Sequence, residues 1–542
     1  MQKKNAVAII LNAHLPFIRH PELVYSYEEL PFFTTISETL LPLLEMLERL
    51  EAGNIKCKFS ISISPTLCHL LKDEFLLKRY TEYVERQISF GKSEMKRTRE
   101  NRYLYKLAKY YYIKAVYNKE LFLERYDKNI IKVFASFQKK DFIEILAATA
   151  TNCFLPFYKD RPFAVKSQIE TGIKSYIKNF GTPPKGFLLC EDGWFEGLDE
   201  YLDRANINWT IVDTHAVLLS KPPAKFGCFF PVRAKSDAAL FVNDYYANRD
   251  ITDRTAGLTV CPEFRDYFDD VVDELPANDV KLFLSPHGLR TPSGYKYHAL
   301  GESGKEKKLY RIEEAREKAK FQARVFFERR VLTLNEASAN ALKNDRHPFI
   351  SVCSWKADLF GRFWHEGTHF LENLFKLAGE NPEIELTTPS QYLKTINHDS
   401  IQKVQTEFSS SSSNGYAEIL LDASNDWTAR HINHALERMC ELSNRFSNET
   451  GLRERALNQA LREVLLAMSS DWLLLMNNNN EHSAADLWRN YAKQTTVNIL
   501  RNFTTIYESL GSSYLSTRFL TELESRHNIF PLIDYRLFKR TS

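Results

Sequence analysis

Short apolar runs alternate with longer amphipathic stretches over roughly the first 300 residues. AVAIIL, at Ala6–Leu11, is an unbroken apolar run with the length of a buried strand. From Thr35 to Glu51 the apolar positions Ile36, Leu40, Leu43, Leu44, Met46 and Leu47 recur at helical spacing. KFSISIS, at Lys58–Ser64, reads as a strand by its β-branching and stops at Ser64-Pro65. IEILAATAT (143–151), GFLLCE (186–191), WTIVD (209–213) and KLFLS (281–285) are further strand candidates, each followed by a polar turn. A charged, Tyr-rich helical segment at about 67–130 is inserted among them. Such alternation predicts a parallel α/β architecture of the barrel type over residues 1–400. In that architecture the residues just past the C-terminal strand ends carry the chemistry.

The character changes after about Ser400. FSSSSSNG is a Ser-rich loop. From Asn425 three amphipathic stretches follow: NDWTARHINHALERMCELSNRF, ALNQALREVLLAMSSDWLLLM and ADLWRNYAKQTTVNILRNFTTIYESL. They have the length and spacing of bundle helices, so residues 401–542 are expected to form a helical domain. Asn477–Asn480 reads as a solvated loop between two of them.

Composition adds exclusions. The 72 basic and 69 acidic residues leave +3 on 542 residues, which offers no electrostatic attraction for nucleic acid or an anionic membrane. No unbroken apolar run approaches the ~18 residues of a membrane span. The eight cysteines stand apart with no C-x-x-C pair, which signals neither a zinc ribbon nor a dithiol site and points to a reducing, cytoplasmic setting. The chain therefore reads as a large enzyme-like protein with no resident cofactor.

Four segments carry candidate chemistry. In LNAHLPFIRHPE, His14 and His20 follow the first strand; either can hydrogen-bond a ligand or serve the structure alone. In GFLLCEDGWF, Glu191 and Asp192 follow a strand directly, where a carboxylate can act as nucleophile or acid or simply favour a helix start. Asp213 and His215 stand in the same position after WTIVD. His365-Glu366-Gly367-Thr368-His369 is a literal H-E-x-x-H, which on a helix would put two histidines on one face to hold zinc. A third ligand is not identifiable, and the bland alternative is a polar, aromatic loop-to-helix segment.

These segments, in this order, resemble glycoside hydrolase family 57, in particular its α-1,4-glucan branching enzyme subgroup. The resemblance is carried by HLPFIRHPE with ISETLLPLL, SISISPTLCHLLKDEFLLKRY, ILAATATNCFLPF, VKSQIETG, GFLLCEDGWFEGLDEYL, VDTH, PSGYKY, ADLFGRFWHEG, TPSQYL, NDWTARHINHALERM and QALREVLLAMSSDW. It implies an incomplete, seven-stranded TIM-like barrel with helical insertions and a C-terminal helical domain. It implies a retaining reaction on α-1,4-glucan through two carboxyl groups about 5–5.5 Å apart. Glu191 falls on the nucleophile position. His14, Asn152, Trp194, Asp213, His215, Asp358, Trp364, Trp427, Asp471 and Trp472 fall on or beside positions that would contact sugar.

The departures from the family pattern concentrate on that chemistry. The family's second carboxylate, the Asp opening D-A-E-L-F-G-H-W-W, is Lys356 here. Asp358 corresponds to the family's Glu and lies two residues on, about 6.6 Å along an extended chain. The His of A-T-H is Asn152, a lid Trp aligns near Val242, and two further Trp fall near Ser411 and Leu420. The first residue of P-E-C is Cys190. The segment aligned with H-E-x-x-H carries no zinc chemistry in the family. Two readings stand: an α-glucan-acting protein with impaired catalysis, and a non-catalytic relative that binds glucan or another protein. Zinc hydrolysis through His365 and His369 is a remote third. A Lys356–Glu191 ion pair, partly buried, is expected at the centre.

Overall fold

The computed structural model describes residues 4–24, 26–285, 288–301, 306–341, 347–411, 414–477, 485–512 and 515–540. Among the described residues, ten strands form one curled sheet: β1 (Asn5–Ala13), β2 (Phe59–Ile63), β3 (Ile143–Ala148), β4 (Gly186–Leu188), β5 (Trp209–Val212), β6 (Val232–Arg233), β7 (Ala239–Val242), β8 (Ile350–Lys356), β9 (Ile384–Thr387) and β10 (Gln402–Lys403). Their order is β10-β6-β7-β5-β4-β3-β2-β1-β8, with β9 also on β1. The count is ten where seven is expected, because the short β6, β9 and β10 add to the sheet. From β8 round to β7 every pairing is parallel; among the described strands only β6 pairs antiparallel, with β7. Asp244 N donates to Val352 O at 2.7 Å, beside an Asn243–Val352 bridge. The two ends of the curl therefore meet. All the C-terminal strand ends in that circuit open on one mouth.

Near-continuous apolar strands are what a sheet covered on both faces requires. β1 sits between β2 and β8 and is buried along almost its whole length. Two strand assignments change. KLFLS forms a 3-10 turn at Lys281–Phe283, since the chain there belongs to a lateral excursion away from the sheet. Ile350–Lys356, not among the strand candidates read from the sequence, is β8, paired with β1 over seven positions. Tyr27–Ala52 is, among the described residues, the one stretch long and apolar enough to cross a membrane, yet 78% of its apolar window is buried inside the molecule. The inserted segment folds as the helices Glu74–Arg97 and Arg102–Glu120.

The C-terminal helices are Trp427–Arg445, Gly451–Ala467, Ser470–Met476, Ala485–Ser512 and Thr517–Arg526. The central one, Gly451–Ala467, buries Leu457, Leu461, Val464 and Leu465, and a single apolar core runs from the sheet into these helices. The apolar run predicted as one helix to Met476 breaks at Ser469, whose side chain caps the next helix by accepting from Asp471 N. Of the Asn477–Asn480 loop, only Asn477 lies within the described residues.

One glycine fixes how a covering helix meets the sheet. A Cβ on Gly172, in the helix Pro162–Phe180, would stand 2.0 Å from the Ala148 carbonyl oxygen at the end of β3. Gly172→Ala is expected to destabilise the protein by about 1–3 kcal/mol through overpacking. Gly511→Ala, where no atom lies within 4 Å of the added carbon, is expected to be neutral or stabilising. Urea unfolding of the two variants beside the parent measures both.

Candidate active site

The mouth of the sheet gathers the strand-end residues. β1 delivers His14, β2 delivers Ser64, β3 leads to Asn152, β4 to Glu191 and Asp192, β5 to Asp213 and His215, β7 to Asn243, and β8 ends in Lys356. Because β1 and β8 pair with Asn12 opposite Lys356, both reach the mouth at the same level. Asn152, Glu191 and Asp192 all adopt left-handed φ, at 51°, 47° and 47°. Asn and Asp tolerate this conformation, whereas for Glu it is uncommon. The turn after β4 thus holds two successive acidic residues in strained backbone.

Lys356 Nζ lies 3.2 Å from Glu191 Oε1. The Lys356 side chain is 68% exposed and that of Glu191 is 13% exposed. The pair is therefore partly buried, the carboxylate sheltered and the lysine side open to solvent. The Glu191 carboxylate holds the lysine pKa above its ordinary value, against the opposing effect of desolvation. The same carboxylate accepts from Ser411 Oγ at 3.3 Å, and Ser411 N donates to the Glu191 carbonyl at 2.7 Å. The Ser-rich loop thus reaches the nucleophile position.

Asp471, from the C-terminal helices, is clasped beneath the mouth. His14 Nε2 lies 2.9 Å from both its carboxylate oxygens, Asn152 Nδ2 donates at 3.2 Å and Ser469 Oγ at 2.7 Å. Burial opposes its ionisation, but His14 and these hydrogen bonds prevail and hold its pKa below the ordinary value. His14 Nδ1 is 2.8 Å from Ser64 Oγ, so both ring nitrogens are engaged.

Asp192 is only 5% exposed. Burial first, then the Asp213 charge, pushes its carboxyl from near 3.8 to about 8, even though Asn243 Nδ2 donates to it at 3.0 Å. It therefore carries a proton at neutral pH. Asp213 Oδ1 lies 2.8 Å from His215 Nδ1, and this bond raises the histidine pKa. His215 faces Gly415, where a Cβ would come within 2.5 Å of the ring, and Tyr416, whose ring centroid is 5.2 Å away.

Other sequence candidates lie elsewhere. Asp358 is in a 3-10 turn and not extended chain; it accepts from Arg362 Nη1 at 2.9 Å and from Thr35 Oγ1 at 3.0 Å. Its carboxylate is thus occupied by side chains of the fold. Trp194, Trp364 and Trp472 are 0%, 3% and 1% exposed and present no open ring face for a sugar. Their expected place as sugar contacts is corrected accordingly: Trp194 Nε1 donates to Thr406 Oγ1, Trp472 Nε1 donates to the Leu466 carbonyl, and Trp364 packs on Phe264 and Phe370. Trp427 is half-buried at the start of its helix, with its ring 6.0 Å from His431. Val242 is buried within β7, so its position is a sheet position and not a lid, and Leu420 packs with Phe154, Cys190 and Ala417. His20 bonds Tyr491 Oη at 2.8 Å.

The H-E-x-x-H segment does not form the helical arrangement its spacing suggested. The helix begins only at Gly367. His365 Nε2 bonds Tyr110 Oη at 2.9 Å, and Glu366 Oε1 accepts from Tyr310 Oη at 2.6 Å. Burial drives the His365 pKa well below its ordinary value.

Sequence reasoning missed Ser64, Asn243, Ser469 and Arg362. Ser469 had a signal, the Ser-Ser-Asp step inside an apolar run, which is a helix-start signature. Asn243 had none, because β7 was not recognised as a strand.

Comparison with known proteins supplies the family. Residues 8–407 match the model of glycosyl hydrolase family 57, and residues 431–538 match that of the 1,4-alpha-glucan branching enzyme C-terminal region. A 1,4-alpha-glucan branching enzyme of Thermococcus kodakarensis is 25% identical over 97% of this chain and 77% of its own length. Among solved structures, the alpha-amylase AmyC of Thermotoga maritima superposes over the full length of both chains with a TM-score of 0.91 and 29% identity. The branching enzyme of Pyrococcus horikoshii superposes over 100% of this chain and 98% of its own with a TM-score of 0.86 and 22% identity, a likeness of fold. The chain belongs to glycoside hydrolase family 57 and within it resembles the 1,4-α-glucan branching enzymes.

Proposed function

We propose that this protein binds α-1,4-glucan at the mouth of its sheet and does not form branches, its catalytic carboxyl pair having become an ion pair. The observation that carries the reading is the 3.2 Å contact of Lys356 with Glu191. A retaining glycosidase needs an acid that gives its proton to the leaving oxygen and takes it back from water. An ammonium held above its ordinary pKa by Glu191 does neither at neutral pH. Glu191 is meanwhile drawn toward the cation and away from nucleophilic attack. The relatives' names, alpha-amylase and 1,4-alpha-glucan branching enzyme, support an α-glucan ligand. In this reading His14, Asn152, Asp213, His215 and Asp471 form the polar floor of the glucan site. The boundary near residue 400 separates the part that supplies Glu191 and Lys356 from the part that supplies Asp471. Eight unpaired cysteines support a cytoplasmic setting.

The purified protein is expected to be retarded in a native gel containing amylopectin and to leave amylose unbranched in iodine-stain and chain-length assays. Efficient formation of new α-1,6 branches, or migration unaffected by amylopectin, refutes the reading. Lys356→Asp is expected to raise reducing-end release from amylose at least about tenfold over the parent, still below the 10²–10⁴ of a fully placed acid because Asn152 is unchanged.

The exposure of Lys356 sets the stability of its variants. Lys356→Ala is expected to change unfolding free energy by about 1 kcal/mol or less, because the lysine side of the pair is open to solvent. A thermal or urea melt checks this, and a loss of several kcal/mol would mean the pair is desolvated.

Asp192 gives the opposite kind of test. Its folded-state pKa, about 8, lies above its unfolded value, so the folded protein keeps a proton that the unfolded chain releases. The associated stability is present in acid and is lost as pH rises from about 4 to about 8, at most about 1.4 kcal/mol per pH unit. Asp192→Asn removes the titration while keeping a neutral side chain beside Asn243. The variant's melting temperature is expected to gain on the parent's between pH 5 and pH 8.5. A constant difference across that range would show that Asp192 is ionised throughout.

A further inference from the structure

A cavity of about 390 Å³ opens on the flank of the molecule. It lies between the helix Pro65–Leu70 with its following turn, the helix Pro162–Phe180 and the chain at 528–537. None of its lining residues belongs to the site described above. Its size falls in the range of small-molecule pockets, about 300–1,000 Å³.

The lining is divided chemically. Phe530, Leu532 and Leu537 make an apolar wall, and Leu532 is 68% exposed despite its size. The lining also includes Lys72, Lys174 and Lys178, all three exposed. Lys72 Nζ donates across the groove to Asn179 Oδ1 at 2.6 Å. Among the described residues none of the three lysines is paired with a carboxylate. The nearby Asp73 does not supply the missing charge. Its carboxylate accepts from Arg19 Nε at 2.8 Å, Leu76 N at 3.1 Å and Asn528 Nδ2 at 3.3 Å. Glu74 is the remaining acidic lining residue, so three ammonium groups face one free carboxylate. Burial lowers the Lys72 pKa, and the positive charge of Lys178 lowers it further. An uncompensated cluster of cations beside an apolar wall is the complement of an anion with an apolar body.

We propose that this cavity binds a small anionic amphiphile, a molecule with one phosphate, sulfonate or carboxylate group on an aromatic or aliphatic body. The anion is held by the lysines and Asn179, and the body lies against Phe530 and Leu532.

The full-length protein is titrated with 8-anilinonaphthalene-1-sulfonate, an aromatic sulfonate whose fluorescence rises on apolar contact. One saturable site is expected. The triple variant Lys72→Gln/Lys174→Gln/Lys178→Gln and 0.5 M sodium chloride are each expected to weaken it at least about tenfold, since charge attraction is screened by salt. Leu532→Asp, on the exposed rim where folding is not at risk, is expected to weaken it comparably. Competition then separates the sources: displacement by adenosine monophosphate marks a nucleotide site, and displacement by dodecanoate an acyl carboxylate site. Absence of saturable binding, binding that both variants leave intact, or displacement by neither competitor overturns the proposal. These readouts do not involve amylopectin, so their failure leaves the glucan reading standing.

Discussion

Asp471 is the constraint on which the site depends. It belongs to the helical part of the chain, yet it is bound by His14 from the end of β1 and Asn152 from the turn after β3. A buried carboxylate is stable only when its lone pairs are met, and here three side chains meet them. The two halves of the chain are thereby docked in a single register. Ser470 extends the seam by donating its N–H to the Asn152 carbonyl and accepting from Phe154 N. Glu191 and Asp471 both face the mouth, and a lysine at 356 is a cation that the field of both carboxylates favours.

Much of the scaffold was legible in the sequence, and the reasons are local. AVAIIL, KFSISIS, IEILAA and WTIV are strands because a sheet covered on both faces needs unbroken apolar runs, and such runs are conspicuous. The long helices after Asn425 declared themselves by spacing. β7 and β8 did not, because ALFV is short and ISVCSWK is interrupted by Ser and Lys and runs into an aromatic turn. KLFLS looked like a strand and is not, since a three-residue apolar run cannot be told from a buried turn by pattern alone.

The site was legible in part. Glu191, Lys356, His14, Asn152 and Asp471 meet where strand ends and family likeness put them together. The tryptophans at 194, 364 and 472 show the limit of that reasoning. A ring beside a site in sequence is as useful to the core as to a ligand, and only burial distinguishes the two. The exposure of Lys356 was likewise invisible, because it depends on how far the mouth opens and not on any residue near 356 in the chain.

The place of β1 in the sheet has a consequence for how the chain is made. β1 leaves the ribosome first, but its full-length partner β8 reaches it only when Lys356 has emerged opposite Asn12, 344 residues later. At about 5–20 residues per second that interval is roughly 20–70 s. Throughout it, one edge of this apolar strand stands unpaired, although β2 covers Ile10–Ala13 on the other side early. An open apolar edge is a template for pairing with another chain. The yield of folded protein therefore depends on conditions during synthesis, temperature and chaperone supply among them, in a way that the stability of the finished molecule does not reveal.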